Sequence, residues 1–493
     1  MTKTITIAYG DGIGPEIMDS TLEIFREAKA DLNFNIIEVG KNIYEKGFSS
    51  GLMPSAFEDL KSTKILLKAP ITTPQGGGYK SLNVTLRKKL GLFANLRPVS
   101  SFAPFVATNF PNMDLVIIRE NEEDLYAGIE HRQTFDTYQC LKLVTRKGCE
   151  KIVRFAFEYA VANNRKKISC FSKDNIMKAT DGLFHKVFDE VAKEYPQIET
   201  NHYIIDIACA RLATKPEIFD VIVTMNLYGD IISDIAAEIS GSVGLAGSAN
   251  IGLDYAMFEA IHGSAPDIAG KDIANPSGLI NASIMMLNHI GQNETANLIQ
   301  NALFKTIENG IHTADIFNEK TSKRKVGCKE FTKAVIENLG QKPSQLKQGN
   351  NSRAKKLEIN LKENKEISEK LLIGFDLFID WKNNFDSLLE SLKSLNSEVF
   401  EIKAISAKGL TLWPLSDNYL MPNYEQGLTC LRFTGKGICG KNSLEIINKN
   451  KDVSHKNIIE ILSYLNEKNI DFVKYEGLYL FGGKPAYSGG QGE

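Results

Sequence analysis

Residues 72–98, TTPQGGGYKSLNVTLRKKLGLFANLRP, set a glycine-rich loop before two short hydrogen-bonding side chains, Ser81 and Asn83, and two arginines, Arg87 and Arg97. Arginine presents a rigid planar fork to carboxylates, so several converging on one cleft suit a multiply anionic acid. Singly, each would equally serve a surface ion pair. In VIIRENEEDLYAGIE, Arg119 ends an apolar run and Tyr126 follows in an acidic setting. A phenol acts as a general acid where burial and neighbouring cations tune its pKa, although most tyrosines only pack. MNLYGDIISDIAAEIS places Asp230 and Asp234 at i and i+4, where both carboxylates face one way and near solvent. Such a pair suits Mg²⁺ or Mn²⁺, hard ions that prefer oxygen, and would equally serve as acidic capping of a helix start.

Two further stretches carry glycine loops. GDGIGPE, with glycines at 10, 12 and 14, lacks the last glycine of the GxGxxG fingerprint because Pro15 intervenes, and no acidic residue stands at the required distance. A tight turn explains it as well as a ligand does. FEAIHGSAPDIAGKDIANPSG, around His262, is a loop of short polar residues able to wrap a nucleotide with backbone groups.

The elements that would position these residues follow from periodicity. TITIAYG, KILLKAP, DLVIIRE, KKISCFS, HYIID and FDVIVTM read as strands, each followed by a turn or a helical stretch such as GCEKIVRFAFEYAVANN. Strands alternating with helices predict an α/β fold with a mainly parallel sheet. After ENLGQKPS the composition turns to Lys, Asn and Glu with few large apolar residues, which predicts a linker. Beyond it, LLIGFDLFIDW, FDSLLESLKSLN, EVFEIKAIS, GLTLWP, TCLRFTG, HKNIIEILSYLNEKN and IDFVKYEGLYLF read as a compact α+β unit.

The 58 basic and 60 acidic residues give a net charge of −2, so no basic excess exists for a phosphate backbone, and nucleic acid is excluded as a main partner. Seven cysteines without a CxxC argue for free thiols in a reducing compartment rather than a disulfide framework or a zinc knuckle. No secretory or transit pattern opens the chain and no apolar run could span a membrane, so a cytoplasmic location is expected.

Taken in order, GDGIGPE, SLNVTLR, LRP, RENEEDLYAGIE, NLYGDIISD, GSAN and HGSAPDIAGKDIANPSG resemble the β-decarboxylating dehydrogenases, the isocitrate and isopropylmalate dehydrogenase family, over almost all of residues 1–340. The resemblance implies a two-lobed fold that is not a Rossmann fold: a discontinuous cofactor lobe (1–93 and 250–342), a small lobe with the dimer interface (94–249), a linker (343–370) and a C-terminal extension (371–493). It implies that Ser81 and Asn83 hold the γ-carboxylate of isocitrate where isopropylmalate enzymes carry apolar groups. Arg87, Arg97 and Arg119 would bind the other carboxylates, Tyr126 would protonate the enol carbon and Lys173 would assist proton transfer. Asp206, Asp230 and Asp234 would hold the metal, with Lys173 and Asp206 coming from the second copy of a homodimer.

Thr73, His262, Gly263, Ala265, Asp267, Ile268 and Asn275 would contact the nicotinamide cofactor. NADP-using bacterial relatives carry Lys and Tyr where this chain has Asp267 and Ile268, and further donors that align with Ala314 and Asn318. With those donors missing and an acidic group suited to ribose hydroxyls, the expectation is NAD. The expected reaction is conversion of isocitrate to 2-oxoglutarate and CO₂. Its rivals are a homoisocitrate or tartrate enzyme and a non-catalytic regulatory subunit, which the full set of catalytic side-chain types disfavours.

Overall fold

The computed structural model describes residues 2–48, 51–74, 78, 80–349, 368–393, 395, 397–414, 424, 426–436 and 453–489. The chain forms two compact units, Met1–Ala127 with Lys142–Leu361, and Gly128–Leu141 with Lys362–Glu493. Of the expected linker at 343–370, positions 350–367 lie outside the described residues. Among the described residues, no helix is long and apolar enough to cross a membrane.

The first unit is built on ten strands: β1 (Lys3–Ala8), β2 (Leu32–Ile37), β3 (Ile65–Lys68), β4 (Ala94–Ser100), β5 (Asp114–Glu120), β6 (Lys167–Ser172), β7 (Glu199–Ile204), β8 (Val221–Thr224), β9 (Gly247–Ile251) and β10 (Ala256–Ala260). They lie in the order β2-β1-β3-β10-β9-β4-β5-β8-β6-β7. Six of the nine pairings are parallel. The exceptions are central, where β10, β9, β4 and β5 run antiparallel in succession. A mainly parallel sheet is therefore present with an antiparallel middle, and its inner strands are buried almost without alternation, as sheets covered on both faces are.

Helices cover the sheet. Apolar stripes on α1 (Gly14–Glu27), on α7 (Ser277–His289) and on the helices that follow it share a core with Ile5, Ile7 and Phe258. A second core gathers α3 (Arg146–Ala162) and α4 (Thr180–Ala192) around Val116, Ile118, Val221 and Val223. The remaining helices that matter for the site are α2 (Leu82–Lys89), α5 (Ile205–Thr214) and α6 (Asn226–Ile239).

In the second unit, β11 (Lys370–Trp381), β12 (Phe400–Ala407), β13 (Leu410–Trp413), β14 (Gly427–Gly435), β15 (Phe472–Phe481) and β16 (Lys484–Pro485) form an antiparallel sheet ordered β13-β12-β14-β11-β15-β16. Its helices, Phe385–Lys393 and His455–Glu467, bury Leu388, Ile458 and Ile461 against Phe375, Leu377 and Ile379. This is the α+β unit that the periodicity predicts.

Candidate active site

The antiparallel middle of the sheet brings charged side chains into one place. Lys68 ends β3 directly opposite Glu259 of β10, and their side chains meet at 2.7 Å in a fully buried ion pair. Glu259 also accepts from Arg87 at 3.1 Å and from the Asn250 side-chain amide at 2.8 Å. Burial alone would push the Glu259 carboxyl up, but Lys68 and Arg87 hold it well below the ordinary carboxylate range. The glutamate thus aims Arg87, at the C-terminal end of α2, into a cavity of about 240 Å³.

Ser81, Asn83, Arg87, Arg97, Tyr126, Asp230, Asp234, His262 and Gly263 all line that cavity, as do Lys68 and Glu259. Ser81 occupies the N-cap position of α2 without spending its hydroxyl on a cap. Among the described residues, four buried side-chain atoms in the lining find no hydrogen-bond partner: Asn83 Oδ1, Arg87 Nε, Arg97 Nε and His262 Nε2. Buried polar atoms are rarely left unsatisfied, so this wall is made for a polar occupant. Burial keeps the His262 imidazole pKa below its usual value.

Arg119, on β5, is fully buried and does not itself line the cavity; it lies behind the lining residue Asp230. Its Nε donates to the Asn226 backbone oxygen at 2.9 Å, Nη2 donates to Asn226 Oδ1 at 2.8 Å, and Nη1 reaches Asp230. A Cβ at Gly229 would stand 2.5 Å from Arg119 Cγ, so glycine lets α6 close onto this side chain. Desolvation, with Arg87 and Arg97 nearby, lowers the guanidinium pKa to about 9.

On α6, Asp230 is gripped by Arg119, Arg97 and Tyr126, whose hydroxyl donates to Oδ2 at 2.5 Å. Burial opposes ionisation of Asp230, but these arginines lower its pKa overall. Asp234 is more open, 3.4 Å from Arg97, and burial raises its pKa. The two aspartates therefore differ, contrary to the expectation that both lie near solvent. Asp234→Asn should change unfolding free energy by no more than about 0.5 kcal/mol, whereas Asp230→Asn should cost about 1–3 kcal/mol by weakening the pairing of a buried guanidinium. Urea unfolding of both variants checks this, and equal costs would reject the distinction.

Tyr126 sits 4.9 Å from the Arg119 guanidinium carbon, yet burial holds its pKa above the usual value. It is a protonated donor rather than a phenol tuned downward. Glu120 shapes its turn by accepting from the backbone N–H groups of Glu122 and Glu123.

Lys173 and Asp206 lie elsewhere: they pair with each other at 2.8 Å, and Asp206 is exposed. Among the described residues, Asp206 is not gathered with Asp230 and Asp234 in one chain. The all-oxygen pair on α6 still fits a hard divalent ion as part of a ligand set.

The glycine loop at 10–14 braces this wall. Gly12, at φ +61°, would bring a Cβ within 2.0 Å of the Ser264 carbonyl oxygen, and the Ile13 N–H donates to that oxygen at 2.9 Å. Thr72 meets Ser264 at 2.7 Å, while Thr73 is exposed beside Ser81. In the loop after His262, Asn275 donates to Asp315 at 3.0 Å and accepts from the Ser277 N–H, Asp267 is exposed, and Ala265 and Ile268 pack on the core.

Residues 4–335 match the family described as isocitrate/isopropylmalate dehydrogenase, and residues 370–493 match the C-terminal domain of bacterial isocitrate dehydrogenase. The chain is 56% identical to a Rickettsia felis protein named isocitrate dehydrogenase [NADP], over 99% of each. It is 39% identical to a Thermus thermophilus protein of the same name, covering 100% of this chain and 96% of the relative. A crystal structure of the TT0538 protein from Thermus thermophilus superposes with a TM-score of 0.88 at 38% identity, covering 99% of this chain and 96% of that one.

These full-length relatives overturn the expectation of NAD. Missing donors at Asp267, Ile268, Ala314 and Asn318 exclude NADP only if a 2′-phosphate must be held from those four positions. In the fold Asp267 points outward and Ile268 serves the core, while cations stand nearby in sequence: Lys271 on the same loop and Lys320 and Lys323 on the segment that the Asn275–Asp315 bond ties to it, all exposed.

Proposed function

The chain belongs to the isocitrate/isopropylmalate dehydrogenase family, and from that premise we propose that it oxidatively decarboxylates isocitrate to 2-oxoglutarate and CO₂, with NADP as hydride acceptor and a divalent metal ion. The observation that carries the reading is one cavity lined by Ser81, Asn83, Arg87, Arg97 and Tyr126 opposite Asp230 and Asp234. It combines donors for several carboxylates, a protonated phenol and a hard-ion carboxylate pair.

A divalent ion held by the aspartates would supply Lewis acidity, and a bound nicotinamide cofactor would supply a hydride acceptor. The protein does the rest. Arg87 and Arg97 bind carboxylates with Arg119 behind them, and Ser81 and Asn83 bind the γ-carboxylate, a contact an isopropyl group could not make. Tyr126, held protonated, delivers a proton to the enol carbon after CO₂ leaves. Lys173 and Asp206 act across a homodimer interface: they lie outside their own chain's cavity, and near them in sequence Ile176 and Ile207 are 65% and 47% exposed, as is Ile231 beside Asp230 at 50%, apolar side chains that ask for a partner. The exposed lysines at 271, 320 and 323 supply the cationic donors that a 2′-phosphate requires.

A steady-state assay with isocitrate, Mg²⁺ and each cofactor tests this. kcat/KM with NADP should exceed that with NAD. No turnover of isocitrate would reject the activity, and a reversed preference would reject the cofactor.

A further inference from the structure

Away from the cavity, three side chains with metal-ligand chemistry converge from three elements: Asp174 just past β6, His185 on α4 and His202 on β7. One ligand atom from each lies within 4.8 Å of the others. The Asp174 carboxylate is shared, with Oδ2 at 2.7 Å from His185 Nδ1 and Oδ1 at 3.7 Å from His202 Nε2. The imidazoles stack face to face with centroids 3.7 Å apart, and all three residues are half-buried in the single chain. We propose that Asp174, His185 and His202 form a binding site for a divalent transition-metal ion of the Zn²⁺ class, distinct from the carboxylate pair on α6.

Two imidazoles and one carboxylate are the donor set of borderline ions such as Zn²⁺, Co²⁺ and Ni²⁺, whereas Mg²⁺ prefers oxygen alone. Mg²⁺ therefore does not compete. Imidazole binds metal in its neutral form, and burial together with His185 lowers the His202 pKa, which favours that form. Asp189, 3.7 Å from His185 Nε2, adds a second carboxylate near that ring, an outer-shell partner of the kind liganding histidines take. Parallel rings cannot both aim lone pairs at one ion, so one ring must swing about its soft sp³–sp² torsion, exchanging the 2.8 Å bond between His202 and Ser172 for the ion. Asp174 adjoins Lys173, and His202 stands on the strand that leads into Asp206, so occupancy would restrain both segments that hold the Lys173–Asp206 pair. That consequence for turnover rests on the proposed function, whereas binding itself does not.

Calorimetric titration of the metal-free protein with Zn²⁺ in excess Mg²⁺, alongside the visible absorption of added Co²⁺, tests the site. One Zn²⁺ per chain is expected, and His185→Gln or His202→Gln should weaken it by more than the roughly 100-fold that loss of an outer partner can cost. The thermal midpoints of the metal-free variants report whether each folds, and the Asp230→Asn/Asp234→Asn double variant should bind Zn²⁺ unchanged even if the cavity reading fails. Absence of Zn²⁺ binding in the unmodified protein, or undiminished affinity in folded His185→Gln/His202→Gln protein, would overturn the proposal.

Discussion

Glu259→Gln should destabilise the protein by about 3–5 kcal/mol, because it removes the negative partner from two buried cations while leaving their volume and desolvation unchanged. Lys68 is fully buried and Arg87 is 6% exposed, so neither can recover its lost interaction in water. The same change should loosen Arg87 in the cavity and raise KM for a carboxylate substrate more than it lowers kcat. Adding Lys68→Met should recover part of the stability, since a buried cation is then replaced by an apolar chain of similar length. Acid behaviour gives a further signature. The native Glu259 pKa lies below its unfolded value, so its contribution is complete above about pH 4.3, the unfolded value, and is lost as pH falls toward the native one. Unfolding free energy of the unmodified protein should therefore drop more steeply below that pH than that of Glu259→Gln. Urea titrations across the acid range measure both slopes, and a cost under about 1 kcal/mol at neutral pH would reject the role given to this residue.

Glu259 and Lys68 also mark where sequence reading stops. Both stand within apolar runs, KILLKAP and AMFEAIHG, and a charge inside a buried strand is itself a signal that a partner must exist. Which partner it has depends on strand order, and β3 and β10 become neighbours although nearly two hundred residues separate them. The antiparallel middle has a weak sequence pattern for a related reason: LRPVS and GSANI contain proline, glycine and small polar residues that dilute the strand signal. Arg87, Arg97, Tyr126, Asp230 and Asp234 stand out by side-chain type and local spacing, each with a purely structural alternative open; the family resemblance joins them, and all five line one cavity. The NAD expectation conflicts with the NADP names of the full-length relatives, and four aligned positions could not settle it, because a 2′-phosphate can take its cations from any loop that folds beside the ribose.

Lys173 and Asp206 should complete the site of the opposite chain. They are salt-bridged to each other outside the cavity, on segments from the ends of β6 and β7, while Tyr126 and Asp230 are hydrogen-bonded within it. If each site takes Lys173 from one chain and Tyr126 from the other, Lys173→Ala and Tyr126→Phe homodimers should each lose about 10²–10⁴-fold in turnover, the worth of one proton-transfer group. A two-fold dimer built from one chain of each kind then has one site with both residues intact and one with neither. Random exchange makes about half of all dimers mixed, so the recovered activity should approach about one quarter of the unmodified value. Differently tagged chains and native mass measurement establish that exchange has occurred. Tyr126→Phe should also separate the partial reactions, sparing reduction of added oxalosuccinate more than proton delivery after its decarboxylation, and equal loss in both would count against the donor role. Activity that stays at the level of the parent variants after proven exchange would place Lys173 in its own chain's site or outside catalysis altogether.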